Sequence, residues 1–89
     1  MYSVYILYSE SAKRFYIGQT NNVKERIKRH NSGYEISTKP YSPWKLVCEI
    51  EKNNRSESII LEKKLKNLNT ADLIKFIRKY SSSFEGREA

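Results

Sequence analysis

Hydrophobic and polar positions change their spacing several times along the chain, and each change predicts an element. Tyr2-Ser3-Val4-Tyr5-Ile6-Leu7-Tyr8 is dense in aromatic and β-branched residues and predicts a strand. Ser9 to Lys13 is polar and turn-like, and Arg14-Phe15-Tyr16-Ile17-Gly18-Gln19 predicts the returning strand of a hairpin. Asn21 or Asn22 is placed to cap a helix running to about His30, and Asn31-Ser32-Gly33 is its stop signal. Tyr34 to Pro43, with two prolines, predicts a loop, and Trp44 to Ile50 alternates well enough for a third strand. Asn54 with Glu57 three residues on resembles a capping box opening a helix to about Leu68. Thr70 is placed to cap a last helix through Tyr80, with Leu73, Ile77 and Tyr80 on one stripe. The order is ββαβαα. It predicts an α+β domain over residues 1–80, a small three-stranded antiparallel or mixed sheet flanked by helices, with Ser81 to Ala89 as a frayed tail.

The hairpin register decides which tyrosines meet. A four-residue turn from Ser9 to Ala12 pairs Tyr8 with Lys13 and sets Tyr5 opposite Tyr16. A five-residue turn instead pairs Tyr5 with Ile17 and moves Tyr16 out of line.

Composition then narrows the chemistry. Among 89 residues, 17 are Lys or Arg and 10 are Asp or Glu, a formal charge of +7. A phosphate-rich ligand is the first expectation, and an acidic partner-binding tail is disfavoured. The single cysteine, Cys48, excludes an internal disulfide and zinc sites built on several thiolates. The single histidine, His30, removes the usual two- and three-histidine metal sites. The longest apolar run, Val4 to Tyr8, is far short of a membrane span, and no signal segment is visible. The expectation is a soluble, cytoplasmic protein without a membrane role.

The first predicted helix departs from a plain core. At roughly 100° per residue, Val23, Ile27, His30 and Arg26 fall within an arc of about 100°, while Lys24, Glu25, Lys28 and Arg29 lie on the other side. An inward-leaning arginine is costly without an anion. Arg26 either snorkels to the edge or pairs with a core carboxylate, or it grips a phosphate with its planar fork. His30, one turn on, is either a hydrogen-bonded core histidine or a proton donor and acceptor. Seven tyrosines against three phenylalanines is the second departure, since a buried hydroxyl needs a partner. Gly18, just after Tyr16, suggests close approach of a ligand or another backbone, or a β-bulge. Glu62 lies at the flank of the Leu61, Leu65 and Leu68 stripe, where it either faces a cleft or pairs with Lys66 at i,i+4.

At Tyr16-Ile17-Gly18 the chain resembles the GIY-YIG nuclease domain family, especially its small stand-alone members related to the nuclease half of the nucleotide-excision-repair excinuclease. The second half-motif is intact, and the first is degenerate, Ser3-Val4-Tyr5, with its tyrosine kept. Arg26 stands where the family has its arginine, and His30 with Asn31-Ser32-Gly33 is similar to the segment that follows. Pro43-Trp44-Lys45-Leu46-Val47 resembles the third strand of these proteins, and Glu62 matches their metal-binding glutamate. Ser3 replaces the first glycine, and Gln19 stands where several members place a lysine.

The resemblance implies metal-dependent hydrolysis of DNA phosphodiesters, in repair or recombination. Glu62 is then the ligand of one Mg²⁺ or Mn²⁺, weakly held without substrate, and Arg26 stabilises charge on the phosphate. Tyr16 is the general base, Tyr5 positions water or phosphate, and His30 relays a proton. Gly18, Gln19, Lys24, Lys28 and Arg29 are expected along the DNA. A homodimer or a partner protein is compatible with so short a chain. Two rivals are a nucleic-acid-binding module without catalysis and a protein-interaction scaffold; neither needs Glu62 or a metal.

Overall fold

Strand β1, Tyr2–Ser9, is the centre of the fold in a computed structural model of the chain, which describes residues 1–80. It pairs on one side with β2, Arg14–Thr20, and on the other with β3, Lys45–Lys52. Both pairings are antiparallel, so the mixed-sheet option falls away. Helix α1, Val23–Ser32, follows the hairpin; α2, Arg55–Lys66, and α3, Thr70–Tyr80, follow β3. The predicted loop holds one short 3₁₀ turn, Lys39–Tyr41. The expected tail from Ser81 onward lies outside the described residues.

Helices cover both faces of the sheet, and this explains why β1 is nearly all apolar instead of alternating. Val4 and Ile6 of β1 join Ile17, Val47 and Cys48 against Leu65 of α2 and Leu73 and Ile77 of α3. Tyr5 and Leu7 point the other way, with Trp44, into a smaller cluster closed by Tyr16, Val23 and Ile27. Cys48 belongs to the larger cluster, and burial pushes its thiol up to about 11. That thiol is inert packing.

Local chemistry sets the helix ends. Asn22, not Asn21, caps α1 by accepting from the Glu25 N–H at 3.1 Å. Gly33 closes it in the left-handed region, φ 88°. The stop thus acts two residues later than His30. Asn54 caps α2 through the Glu57 N–H at 2.9 Å, and the helix ends at Lys66, short of Leu68. Asn69, rather than Thr70, accepts from the Asp72 N–H at 2.8 Å at the start of α3.

The hairpin register differs from both expectations. Ser9 pairs with Arg14, so the turn is Glu10 to Lys13 and Tyr5 lies opposite Gly18. Ser9 is fully buried and stays in the strand, and its hydroxyl accepts from the Ala12 N–H, while Lys13 takes a left-handed φ of 56°. Its polarity marks it as turn; its burial makes it sheet. Tyr5 and Tyr16 still share a face, as diagonal neighbours with ring centroids 6.2 Å apart.

Gly18 is where this register matters. A Cβ there would stand 2.6 Å from the Tyr5 hydroxyl oxygen and 2.8 Å from its Cζ. The Tyr5 ring therefore lies across the β2 backbone at the one strand position without a side chain. Close approach, not a bulge, is the reason for this glycine. Gly18→Ala must push a fully buried ring aside and is expected to cost about 1–3 kcal/mol in urea unfolding. A loss below about 0.5 kcal/mol would show that the ring has room to move.

Candidate active site

Tyr5 crosses Gly18 to reach His30. Its hydroxyl lies 3.1 Å from His30 Nε2, and both residues are about 1% exposed. The other ring nitrogen, Nδ1, is 2.8 Å from the Thr38 hydroxyl, which itself donates to the Glu35 carbonyl at 3.3 Å. The directions follow from counting protons. Thr38 spends its one hydrogen on Glu35, so it accepts from His30 Nδ1–H. His30 Nε2 is then bare and accepts from Tyr5.

Electrostatics agree with that assignment. Burial first, then Tyr16, holds the Tyr5 hydroxyl well above the ordinary tyrosine range; Arg26 opposes, and Glu35 and Glu62 add to the rise. Burial likewise holds the His30 imidazole below its usual value, with Glu35 opposing and Arg26 and Arg29 reinforcing. A neutral donor meets a neutral acceptor.

Tyr16 stands beside the relay and outside it. Its ring is 4.6 Å from His30 and 6.3 Å from Trp44, and it is half-buried. Its hydroxyl has no hydrogen-bond partner among the described residues, unlike that of Tyr5. Arg26, also half-buried, takes part in none of the ion pairs among the described residues, so the option of a core carboxylate is unused. Glu62 is 18% exposed and pairs with Lys66 at 3.0 Å, the i,i+4 contact its spacing allowed. No cluster of three His, Cys, Asp or Glu side chains exists among the described residues. A single carboxylate, partly open to solvent, suits Mg²⁺ or Mn²⁺, ions that keep much of their water. Lys66 takes one oxygen of Glu62, Oε2, and would compete with such an ion there.

The remaining expected contacts divide among different surfaces. Gly18 is buried beneath the Tyr5 ring. Gln19 turns toward α2, where its side-chain amide lies 3.3 Å from the Ser58 hydroxyl, whose own proton goes to the Arg55 carbonyl at 2.7 Å. Lys24 lines a groove with Glu49 and Glu51, away from Tyr16. Lys28 and Arg29 line another with Asn31 and Tyr34, and Arg29 pairs with Glu35 at 3.3 Å. These three cations are not gathered with Tyr16. Ser3, in place of the first glycine, donates to Glu49 at 3.0 Å.

Two supporting residues were not assigned these roles from the sequence. Thr38, in the two-proline loop, is 2% exposed; it orients His30, and its carbonyl accepts from the Trp44 indole at 2.9 Å. Asn31, read as part of a helix stop, clamps the Trp44 backbone with both its amide oxygen and its amide nitrogen. Neither lies in a periodic pattern. Only the presence of one histidine in need of a partner pointed toward such residues.

Comparison with known proteins bears on this geometry. Residues 1–81 match the profile of the GIY-YIG catalytic domain. A 42-residue stretch is 50% identical to part of the structure-specific endonuclease subunit SLX1 homologue of Giardia intestinalis. That match takes in 44% of this chain and 12% of the relative, so the chain spans a small part of its length. The fold is similar to that of a UPF0213 protein of Bacillus halodurans solved by NMR in solution, with TM-score 0.62 and 28% identity, over 96% of this chain and 92% of that one.

The neutral histidine has a consequence for stability. An unfolded histidine titrates near 6.5, and below that pH the unfolded chain binds a proton the folded chain refuses. Stability therefore falls as pH drops from about 7 and levels off only below the depressed folded value. Urea midpoints measured between pH 7.5 and 5.5 are expected to fall in the parent and to flatten in His30→Gln. An equal decline in both would assign the effect to other groups.

Proposed function

The chain belongs to the GIY-YIG catalytic domain family, and we propose that it is an endonuclease that hydrolyses DNA phosphodiester bonds with the help of a divalent cation. Membership of this family and the likeness to an endonuclease subunit support a nuclease. The observation that carries the finer reading is the division of labour between the two tyrosines. Tyr5 is buried and committed to His30, whereas Tyr16 lies beside it with an unpartnered hydroxyl.

In this reading Tyr16 accepts the proton of the attacking water. Tyr5 and His30 are positioning residues: they fix the floor on which Tyr16 rests and keep it clear of the strand backbone. The Arg26 guanidinium meets the negative charge that grows on the scissile phosphate. Glu62 would hold Mg²⁺ or Mn²⁺ with water and phosphate oxygens completing the shell. The cation would contribute Lewis-acid stabilisation of the phosphate and the departing oxygen.

A non-catalytic nucleic-acid binder of the same fold is favoured by one observation, the Glu62–Lys66 ion pair, which gives Glu62 a structural use. Metal dependence separates the two readings. Single-turnover cleavage of labelled branched and duplex DNAs is expected in Mg²⁺ and not in EDTA. Arg26→Ala and Glu62→Gln each lower the rate by about 100-fold or more, with unchanged circular dichroism. Tyr16→Phe does the same. Cleavage at the parent rate by any of these variants removes that residue from the assigned role.

A further inference from the structure

Alternation along β2 sends Arg14, Tyr16 and Gly18 to one face of the sheet, the face that α1 covers. Arg14 therefore stands two residues from the candidate base, roughly 6–7 Å along the strand. Its side chain is exposed, yet it has a fixed seat. The guanidinium carbon lies over the Tyr41 ring, 4.4 Å from its centroid.

Tyr41 is itself held in place. It ends the short turn Lys39–Tyr41, and its backbone N–H donates to the Thr38 carbonyl at 3.1 Å. Its ring meets Trp44 edge-on at 6.4 Å, and Trp44 stands 6.3 Å from Tyr16. One row of rings thus runs from the seat of Arg14 to Tyr16. No carboxylate shares the seat, since Arg14 takes part in none of the ion pairs among the described residues. A ring supplies no oxygen, so the planar fork of N–H donors still lacks the acceptor it fits. A seated guanidinium with open donors, beside Tyr16, calls for a phosphate. Lysine there would carry the charge without the two parallel donors.

We propose that Arg14, seated on Tyr41, is a second phosphate-binding residue of the candidate active site, a reading that rests on the nuclease assignment above for the identity of the anion. It grips a phosphate of the bound strand next to the one that Arg26 meets. Arg26 comes from α1 and Arg14 from β2, so the two grips belong to different elements. Two points of contact fix the direction of a strand across Tyr16, which one contact does not. Tyr41 is a positioning residue that acts through Arg14.

Fluorescence anisotropy with a labelled branched DNA in EDTA measures binding apart from cleavage. Arg14→Gln is expected to weaken binding by roughly fivefold and to reduce the slope of log affinity against log salt by about 0.7–0.9. Arg14→Lys restores the slope and only part of the affinity. Tyr41→Leu weakens binding by about threefold in the parent and by less than about 1.5-fold in the Arg14→Gln background. Tyr41→Phe keeps the ring face and binds like the parent. Lys75→Gln removes the same charge from the exposed side of α3 and is expected to change affinity by less than about 1.5-fold. At saturating protein in Mg²⁺, Arg14→Gln cleaves within about threefold of the parent rate, with the half-saturating concentration raised as its binding requires.

Parent-like affinity of Arg14→Gln with a lowered urea midpoint would make Arg14 a clamp for the loop, and would overturn the proposal. So would an equal loss in Lys75→Gln, which would reduce the effect to net charge. Fully additive losses in Arg14→Gln with Tyr41→Leu would overturn the seat on Tyr41. A saturated rate lowered by about 100-fold would place Arg14 in the chemistry instead. Failure of the parent to cleave would count against the nuclease reading, whereas parent-like binding by Arg14→Gln with cleavage intact would count against Arg14 alone.

Discussion

The Tyr5 ring passes over Gly18 to donate a hydrogen bond to His30, and the geometry of the site depends on that contact. It requires a residue without a side chain at the facing strand position, so it explains Gly18. It requires a neutral acceptor at the end of α1, so it ties His30 to Thr38 and through it to the loop after α1. A tyrosine used this way is fully buried, with its one proton committed to His30. The task of meeting solvent therefore falls to the next tyrosine on that face of the hairpin, Tyr16.

The rest of the fold serves this arrangement. β1 is buried on both faces, which gives one small sheet two independent cores. The larger core, with α2 and α3, supplies rigidity and anchors the helix that carries Glu62. The smaller core, under α1, contains the tyrosine–histidine contact and carries Arg26 on the same helix. The two cores thus fix the helices that carry the arginine and the glutamate, α1 on one face and α2 on the other. Much of the net positive charge of +7 lies elsewhere, on surfaces not gathered around Tyr16.

Element order, the two asparagine helix caps and the inward stripe of α1 are readable because each rests on residues close in sequence. Ser9 misleads because its type predicts a turn while its environment, set by distant packing, makes it strand; the register moves with it. Asn69 and Thr70 are both good caps, and nothing local chooses between them. Thr38 lies eight residues from His30 in a segment without periodicity, so its role appears only once the loop folds back. The sequence singles out Tyr5, Tyr16, Arg26, His30 and Glu62 as candidates. What it leaves open is how the hydroxyls are spent: the partner of Tyr5 is 25 residues away.

The central claim is that Tyr5 donates to a neutral His30 that is protonated on Nδ1. Nitrogen-15 NMR of the imidazole at pH 7 tests it most directly, because the two ring nitrogens report their protons separately. The account predicts Nδ1 protonated and Nε2 in the unprotonated range, with the proton taken up at lower pH than by an ordinary imidazole. A proton on Nε2, or an imidazolium at pH 7, would contradict it.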